Sequence, residues 1–241
     1  MTACFQVSKQ QIPRVLLGTS PFLGAGQFGS RAPEYFEHFY EHPENMVGLI
    51  LKAWKIGVRG IQAVVFPRVI EAIETARKQE GIEPAVVGTL VPNEVESGIE
   101  LLLRVNARVA LLHGMETDHL DFEMISGHLS LIRKAGIIPG LAVHRAVPTL
   151  RALAESKLDF QMLMVPLNPR GIMIGNLPEL LEEIKKFKCP IVAKKTLGAG
   201  KIPPSESLTW VAGQGVAGVA LGVASEVEAE ETFGLALKLF E

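Results

Sequence analysis

Four side chains that follow short apolar runs in this sequence are of the types that move protons or attack carbonyl carbons near neutral pH: His113, His144, Lys194 and Lys195. Imidazole titrates closest to neutrality and serves as acid, base or metal ligand. A lysine amine stripped of water is a nucleophile able to form a Schiff base, whereas a hydrated one is a cation for an anionic substrate. The runs Val109-Ala-Leu-Leu, Ile137 to Val143 and Ile191-Val-Ala are short and apolar, and they lead into His113, His144 and Lys194. That pattern describes buried strands whose last side chains emerge into a polar site. Adjacent lysines on a strand point to opposite sides, so at most one of the pair is expected to face the site. Glu116, Asp118 and His119 follow His113, but a metal centre needs three or four converging ligands. Nothing in the spacing forces that, and a polar pocket without metal is the expectation.

Further polar residues stand where apolar runs end: Thr19 and Ser20, Gln62 and Arg68, Thr89 and Asn93, Arg145, Asn168 and Arg170. Of these Gln62, Arg68, Thr89, Arg145, Asn168 and Arg170 are the candidate substrate contacts. Gly198-Ala-Gly200 leaves room for close backbone approach. Ser225, at the start of the last helix, is the candidate cofactor contact, because a helix N-terminus offers free N–H groups to phosphate or carboxylate. Glu226, Glu228, Glu230 and Glu231 favour that helix dipole but repel an anion.

The elements that position these residues alternate regularly. Strands are expected at Arg14–Gly18, Val58–Val65, Ala85–Leu90, Val109–His113, Ile137–Val143, Phe160–Val165, Ile191–Lys194 and Val216–Gly222. Between them lie helical patterns: Met46, Ile50, Ala53 and Trp54 share one face, as do Val69, Ile73 and Ala76, and Ile125, Leu129 and Ile132. Asn93 with Glu96, and Ser225 with Glu228, have capping-box spacing. Parallel strands need crossover helices and a closed ring removes sheet edges, so about eight such units imply a single (β/α)8 TIM barrel over residues 1–241. An open doubly wound sheet is the alternative. Residues 19–42 form a long first loop, a candidate flexible cover for the mouth. Its Gly24-Ala-Gly26-Gln-Phe-Gly29 matches GxGxxG, but no helix opens there and Gln62 to Pro67 contains no acid, so it is no dinucleotide fingerprint. Tyr35, Phe36, Phe39 and Tyr40 fall at helical spacing and are expected to form a packed face.

With 48% hydrophobic and 21% charged residues the chain has material for a large core and too little charge for disorder. The formal net charge is −2 and the basic residues are scattered, which argues against nucleic-acid and membrane partners and for a small-molecule ligand. The start lacks the organisation of a secretory signal, so a cytoplasmic location is expected. Cys4 and Cys189 lack metal-type spacing and are expected to be reduced thiols.

In their order, these segments resemble the aldo-keto reductase family. Val109-Ala-Leu-Leu-His113 looks like that family's strand ending in its catalytic histidine. Ile138-Pro-Gly-Leu-Ala-Val143, Gln161 to Pro169 with its Leu-Asn-Pro, Ala193-Lys-Lys-Thr-Leu-Gly-Ala-Gly200 and Gly222-Val-Ala-Ser-Glu-Val-Glu228 are similar to its later strand ends. The resemblance implies that family's barrel. It also implies a tetrad of aspartate, tyrosine, lysine and histidine that reduces a carbonyl with hydride from a nicotinamide. Of that tetrad His113 is present. Gln62 stands where aspartate is implied, Phe66 and Pro67 near the tyrosine, and Thr89 in place of lysine. Phenylalanine has no proton to give, and the basic residues implied for the adenosine phosphate are acidic here. The expectation is a diverged aldo-keto reductase-like barrel acting on a small carbonyl-bearing or anionic metabolite at its C-terminal face. It would work without tyrosine-based NADP-dependent reduction, and the cofactor stays open. A non-catalytic small-molecule-binding barrel and an NAD(P)-dependent oxidoreductase are the alternatives.

Overall fold

A computed structural model describes residues 3–241. The first elements are an antiparallel hairpin, β1 (Cys4–Val7) and β2 (Gln10–Pro13). β3 (Val15–Gly18) leads through helical turns to α1 (Ala32–Tyr35) and α2 (Pro43–Ile56). Then come β4 (Gly60–Val64) with α3 (Pro67–Glu80), and β5 (Ala85–Leu90) with α4 (Val95–Arg104). β6 (Val109–Leu112) is followed by α5 (Gly114–Thr117) and α6 (Phe122–Lys134), and β7 (Ile138–Ala142) by α7 (Ala146–Glu155). β8 (Leu163–Pro166) with α8 (Leu177–Ile184), β9 (Ile191–Lys194) with α9 (Pro204–Ala212) and β10 (Gly218–Leu221) with α10 (Glu226–Leu239) complete the series.

Strands β3 to β10 are parallel and close into a barrel, with β10 pairing β3 at Val219 with Val15 and Leu221 with Leu17. An open sheet would leave those two strands as edges, so the closed (β/α)8 TIM barrel is the architecture. The helices form as their sequences dictate. α2 opens on Pro43, buries Met46, Ile50, Ala53 and Trp54, and stops at Gly57, whose φ of 115° suits a residue without Cβ.

Alternation along each strand divides the core into two layers. On β6, Val109 and Leu111 face the barrel interior with Leu16, Val87, Met164, Val192 and Ala220. Ala110 and Leu112 face the helices. Val7 and Ile12 of the hairpin pack into the interior cluster and close the amino-terminal end of the barrel. No strand is expected before Arg14 from sequence, because Cys4-Phe-Gln-Val and Gln10-Gln-Ile-Pro are too short to show a period.

Residues 19–42 differ from the expected flexible loop. They form helical turns at residues 20–23 and 26–31, then α1, then a wide turn at residues 36–40. Phe22 meets Phe39 with ring centroids 4.9 Å apart, and Arg31 donates to the Ala199 carbonyl at 2.7 Å, tying the segment to the rest of the chain. Of the four aromatics expected as a packed face, Phe39 is buried while Phe36 is exposed and stacks on Tyr40. The capping box expected at Asn93 is absent: Asn93 has φ 64° and lies outside α4, whose cap position is Glu94. At α10 the Ser225 side chain does cap, accepting from the Glu228 N–H at 3.2 Å, and Glu228 accepts from the Ala224 N–H at 2.8 Å. Among the described residues no helix is long and apolar enough to cross a membrane.

Candidate active site at the carboxyl end of the barrel

Carrying the inward parity of each strand past its last core residue gives a ring of side chains: Gln62 and Val64 after Gly60, Thr89 after Val87, His113 after Leu111, His144 after Ala142, and Lys194 after Val192. These residues, with Ser20, Gln27 and Phe28 from the segment above, line one cavity of about 110 Å³. Strand register sets their heights. Pro166 lies level with Lys194, and Ala142, Met164 and Val192 form one level below. His144 and Lys194 come from strands separated by one, so they belong to one layer of the barrel, as alternate strands do. Lys194 Nζ lies 3.3 Å from His144 Nδ1, a hydrogen bond whose proton either partner can carry. The His113 and His144 rings meet edge to face with centroids 5.1 Å apart. Gly114 permits this packing, since a Cβ there would come within 2.5 Å of the His144 ring.

Lys195 also lines the cavity, contrary to the expectation that adjacent lysines face opposite ways. β9 ends at Lys194, and Lys195 takes φ 55°, which swings its side chain back toward the mouth. Its carbonyl accepts from Asn168 Nδ2 at 3.2 Å and from the Gly198 N–H at 3.0 Å, and these bonds hold the turn.

The electrostatics follow from crowding cations into a partly dehydrated ring. Lys194 keeps some surface toward the cavity, but the surrounding barrel strips most of its hydration. Burial, then repulsion from Lys195, lowers its pKa to about 7, with Asp118 opposing. Burial also lowers the Lys195 pKa. Burial followed by the Lys194 charge takes His113 down to about 4 and His144 to about 3. Both imidazoles are therefore neutral at pH 7, and Lys194 is poised between its two forms. The Met115 N–H donates to His113 Nδ1 at 3.2 Å, which assigns the His113 proton to Nε2 and makes that nitrogen the donor.

Asp118, one of three polar residues after His113, acts through the backbone. Its carboxylate accepts from the N–H groups of His144 at 3.0 Å and Arg145 at 2.7 Å, and from the Thr149 hydroxyl at 2.8 Å. It thus caps α7 from another loop and fixes the strand end that carries His144. Glu116 points elsewhere, onto His128 of α6. Among the described residues no three His, Cys, Asp or Glu side chains gather as metal ligands would.

The other candidate contacts divide. Gln62 and Thr89 both line the cavity, joined by a 3.0 Å hydrogen bond from Gln62 Nε2 to Thr89 Oγ1. Arg68 lies outside the lining, over the Tyr40 ring at 4.9 Å. Arg145 is exposed and contributes its N–H to Asp118. Asn168 is buried and holds the backbone of Ile172 and Lys195. Arg170 pairs with Glu206, with Nε to Oε1 at 2.8 Å. Ser225 caps α10 away from the cavity lining. Arg68 and Arg170 leave the mouth because a ring and carbonyl at Tyr40 and a carboxylate at Glu206 satisfy them in better-hydrated places. Ser20, Gln27, Phe28 and Met164 belong to the lining and were not among the candidate substrate contacts. Met164 was accessible through the same parity, as it follows Met162.

No protein-family model matches the sequence, and no curated protein matches it. Solved structures do. A protein from Pseudomonas aeruginosa provisionally assigned to the aldo-keto reductases superimposes with a TM-score of 0.70 at 18% identity, over 97% of this chain and 93% of the other. An aldo/keto reductase from Klebsiella pneumoniae, solved with NADP and acetate, gives 0.60 at 16% identity over 98% of this chain and 90% of the other. An aldose reductase from Giardia lamblia gives 0.63 at 14% identity over 92% and 86%. At these identities the likeness is one of architecture: the chain has an aldo-keto reductase-like fold.

Proposed function

We propose that this barrel is an enzyme acting on a small carbonyl compound at its carboxyl-terminal mouth, with Lys194 as the attacking amine. The observation that carries the reading is Lys194 Nζ, partly dehydrated, lining the cavity and hydrogen-bonded to His144 Nδ1 at 3.3 Å. Among the described residues no carboxylate lines the cavity, and Asp118, which favours the protonated amine from outside it, is outweighed by burial and by Lys195. The nitrogen lone pair of neutral Lys194 adds to the carbonyl carbon as the C=O π pair moves to oxygen. The amine then loses a proton through His144, and the oxygen gains one. A second proton, taken from solvent, is delivered to that oxygen and releases it as water, leaving a protonated C=N bond to Nζ that returns a proton to solvent to give the neutral imine. The balance is one amine and one carbonyl giving one imine and one water. His113 Nε2–H serves as the hydrogen-bond donor to the carbonyl oxygen. An imine draws electrons from the neighbouring carbon, so the chemistry served is proton removal or C–C bond exchange there.

This reading departs from reduction with a nicotinamide. Where the resemblance implies a charged aspartate and lysine, the neutral Gln62–Thr89 pair offers nothing to tune a phenol, and Phe66 supplies no phenol. The groove beside the cavity is lined by Glu228 and Glu231 as well as by Arg31 and Lys201, and the Arg31 guanidinium is engaged by the Ala199 carbonyl at 2.7 Å. The two carboxylates oppose a phosphate there, which weighs against the NADP of a reductase.

Treatment with sodium borohydride during incubation with a panel of small aldehydes, ketones and oxo acids tests the proposal. Reduction should leave a stable adduct that peptide mass spectrometry places on Lys194, and Lys194→Met should abolish both the adduct and turnover. Turnover that survives in Lys194→Met would overturn the reading. A ligand-dependent rise in melting temperature with no adduct and no turnover would make the barrel a binding protein. Quenching of NADPH fluorescence at micromolar protein would restore the reductase alternative.

A further inference from the structure

We propose that the substrate is a short 2-oxo acid, its carboxylate held by the Lys195 ammonium while the adjacent carbonyl carbon meets Lys194. The proposal rests on Lys194 as the imine-forming amine and adds a substrate class to it.

Charge is the first argument. Among the described residues the cavity lining contains two lysines and two histidines but no aspartate or glutamate. The carboxylate whose field reaches both lysines, Asp118, is engaged by three donors of its own. With both histidines neutral and Lys194 acting as the free amine, the Lys195 ammonium is the cation of the cavity, and with Asp118 outside the lining and tied to its own donors that ammonium is open to an anionic ligand.

Placement is the second argument. The left-handed turn at Lys195 brings two consecutive side chains to one cavity, and Asn168 fixes that turn through the Lys195 carbonyl. A residue that served only to end β9 would have no need to face the mouth. Two amines from neighbouring residues match two neighbouring groups on one small molecule, an electrophilic carbon and the carboxylate attached to it.

Size is the third. The cavity of about 110 Å³ suits a chain of a few carbons. On the far side, the Gln62–Thr89 pair offers neutral hydrogen-bonding groups for the remaining end of the substrate.

Two measurements separate this inference from the reading beneath it. The first compares borohydride-trapped adducts on Lys194 from pyruvate, hydroxyacetone and dihydroxyacetone phosphate. Pyruvate should reach half-labelling at a concentration at least about tenfold below the other two, the scale of one charge-assisted hydrogen bond. Lys195→Met should bring the ratio of pyruvate to hydroxyacetone close to one. Equal labelling by all three, preference for the phosphate, or an unchanged ratio in Lys195→Met overturns the 2-oxo acid and leaves Lys194 chemistry standing. The second uses calorimetry of pyruvate on Lys194→Met protein, which cannot form the imine. Binding that weakens at least about tenfold on adding Lys195→Met supports the carboxylate site even if no carbonyl labels Lys194. Binding indifferent to Lys195, or no binding, overturns it.

Discussion

The mouth of the barrel has two unlike halves. Toward β4 and β5 the inward residues are Gln62 and Thr89, neutral and bonded to each other at 3.0 Å. Toward β6, β7 and β9 they are His113, His144 and Lys194, all ionisable and all shifted toward their neutral forms by burial. Both halves are built by the same parity on the same ring of strands, so the backbone does not distinguish them. What differs is the chemistry placed at equivalent positions. A neutral pair that satisfies itself contributes shape and hydrogen bonds. Three groups that repel one another's charges contribute reactivity. In a reductase-like tetrad the charged side chains would sit on the first of these halves; here the ionisable set lies farther round the ring.

The comparison can be broken most directly by substitution in the ionisable half. Lys194→Met should remove borohydride labelling entirely, and His144→Phe should slow labelling by about 10²-fold, the usual scale for a lost proton-transfer group. The thermal midpoint of Lys194→Met at pH 7 should rise. The folded pKa of Lys194, about 7, lies below its unfolded value of 10.5, so its burial costs stability in full below about pH 7, and that cost fades as pH rises toward 10.5. A lower midpoint, or labelling intact in both variants, would erase the distinction between the halves.

Titration sharpens it next. Labelling needs the neutral amine, so its rate should climb through a midpoint near pH 7 and level off above it. Because the Lys195 charge helps lower that pKa, Lys195→Met should move the midpoint upward. The histidines act on stability at lower pH. Their folded values, about 4 and about 3, lie below the ordinary 6.5, so below about pH 6.5 the unfolded state binds protons that the folded state refuses. Stability is lost as pH falls from there, and His113→Gln should shift the acid-unfolding midpoint to lower pH.

Changes in the neutral half are expected to be milder. Replacing both partners, Gln62→Leu with Thr89→Val, should cost no more than about 1 kcal/mol in denaturant unfolding, because neither polar group is left alone. Labelling should weaken only through looser substrate fit. Smallest of all is Arg170→Ala, outside the mouth altogether. Its pair with Glu206 is exposed, so the denaturant midpoint should not move measurably and labelling should be unchanged.

Much of this half-and-half pattern was legible in the sequence. Short apolar strands, their order and the residues closing them carry a period of two, which survives in any parallel barrel. Hence His113, His144, Lys194, Gln62 and Thr89 were found as strand ends. The arginines read as substrate contacts were not excluded by sequence, since their long side chains choose partners by proximity. Arg68 finds Tyr40 and Arg170 finds Glu206, both distant in the chain. The hairpin plug and the helical turns over the mouth also escaped, because four-residue elements are too short to show a period.

The sequence by itself determined the barrel and placed His113, His144 and Lys194 at strand ends, because local alternation and helix signals are encoded within each segment. Closure of the barrel decided the rest. It laid His144 against Lys194 across the intervening strand, brought Asp118 from one loop to cap the helix of another, and turned Lys195 back into the cavity through a left-handed residue pinned by Asn168. Each of these depends on groups far apart in the chain whose energies depend on shared burial, and burial exists only once the ring is complete.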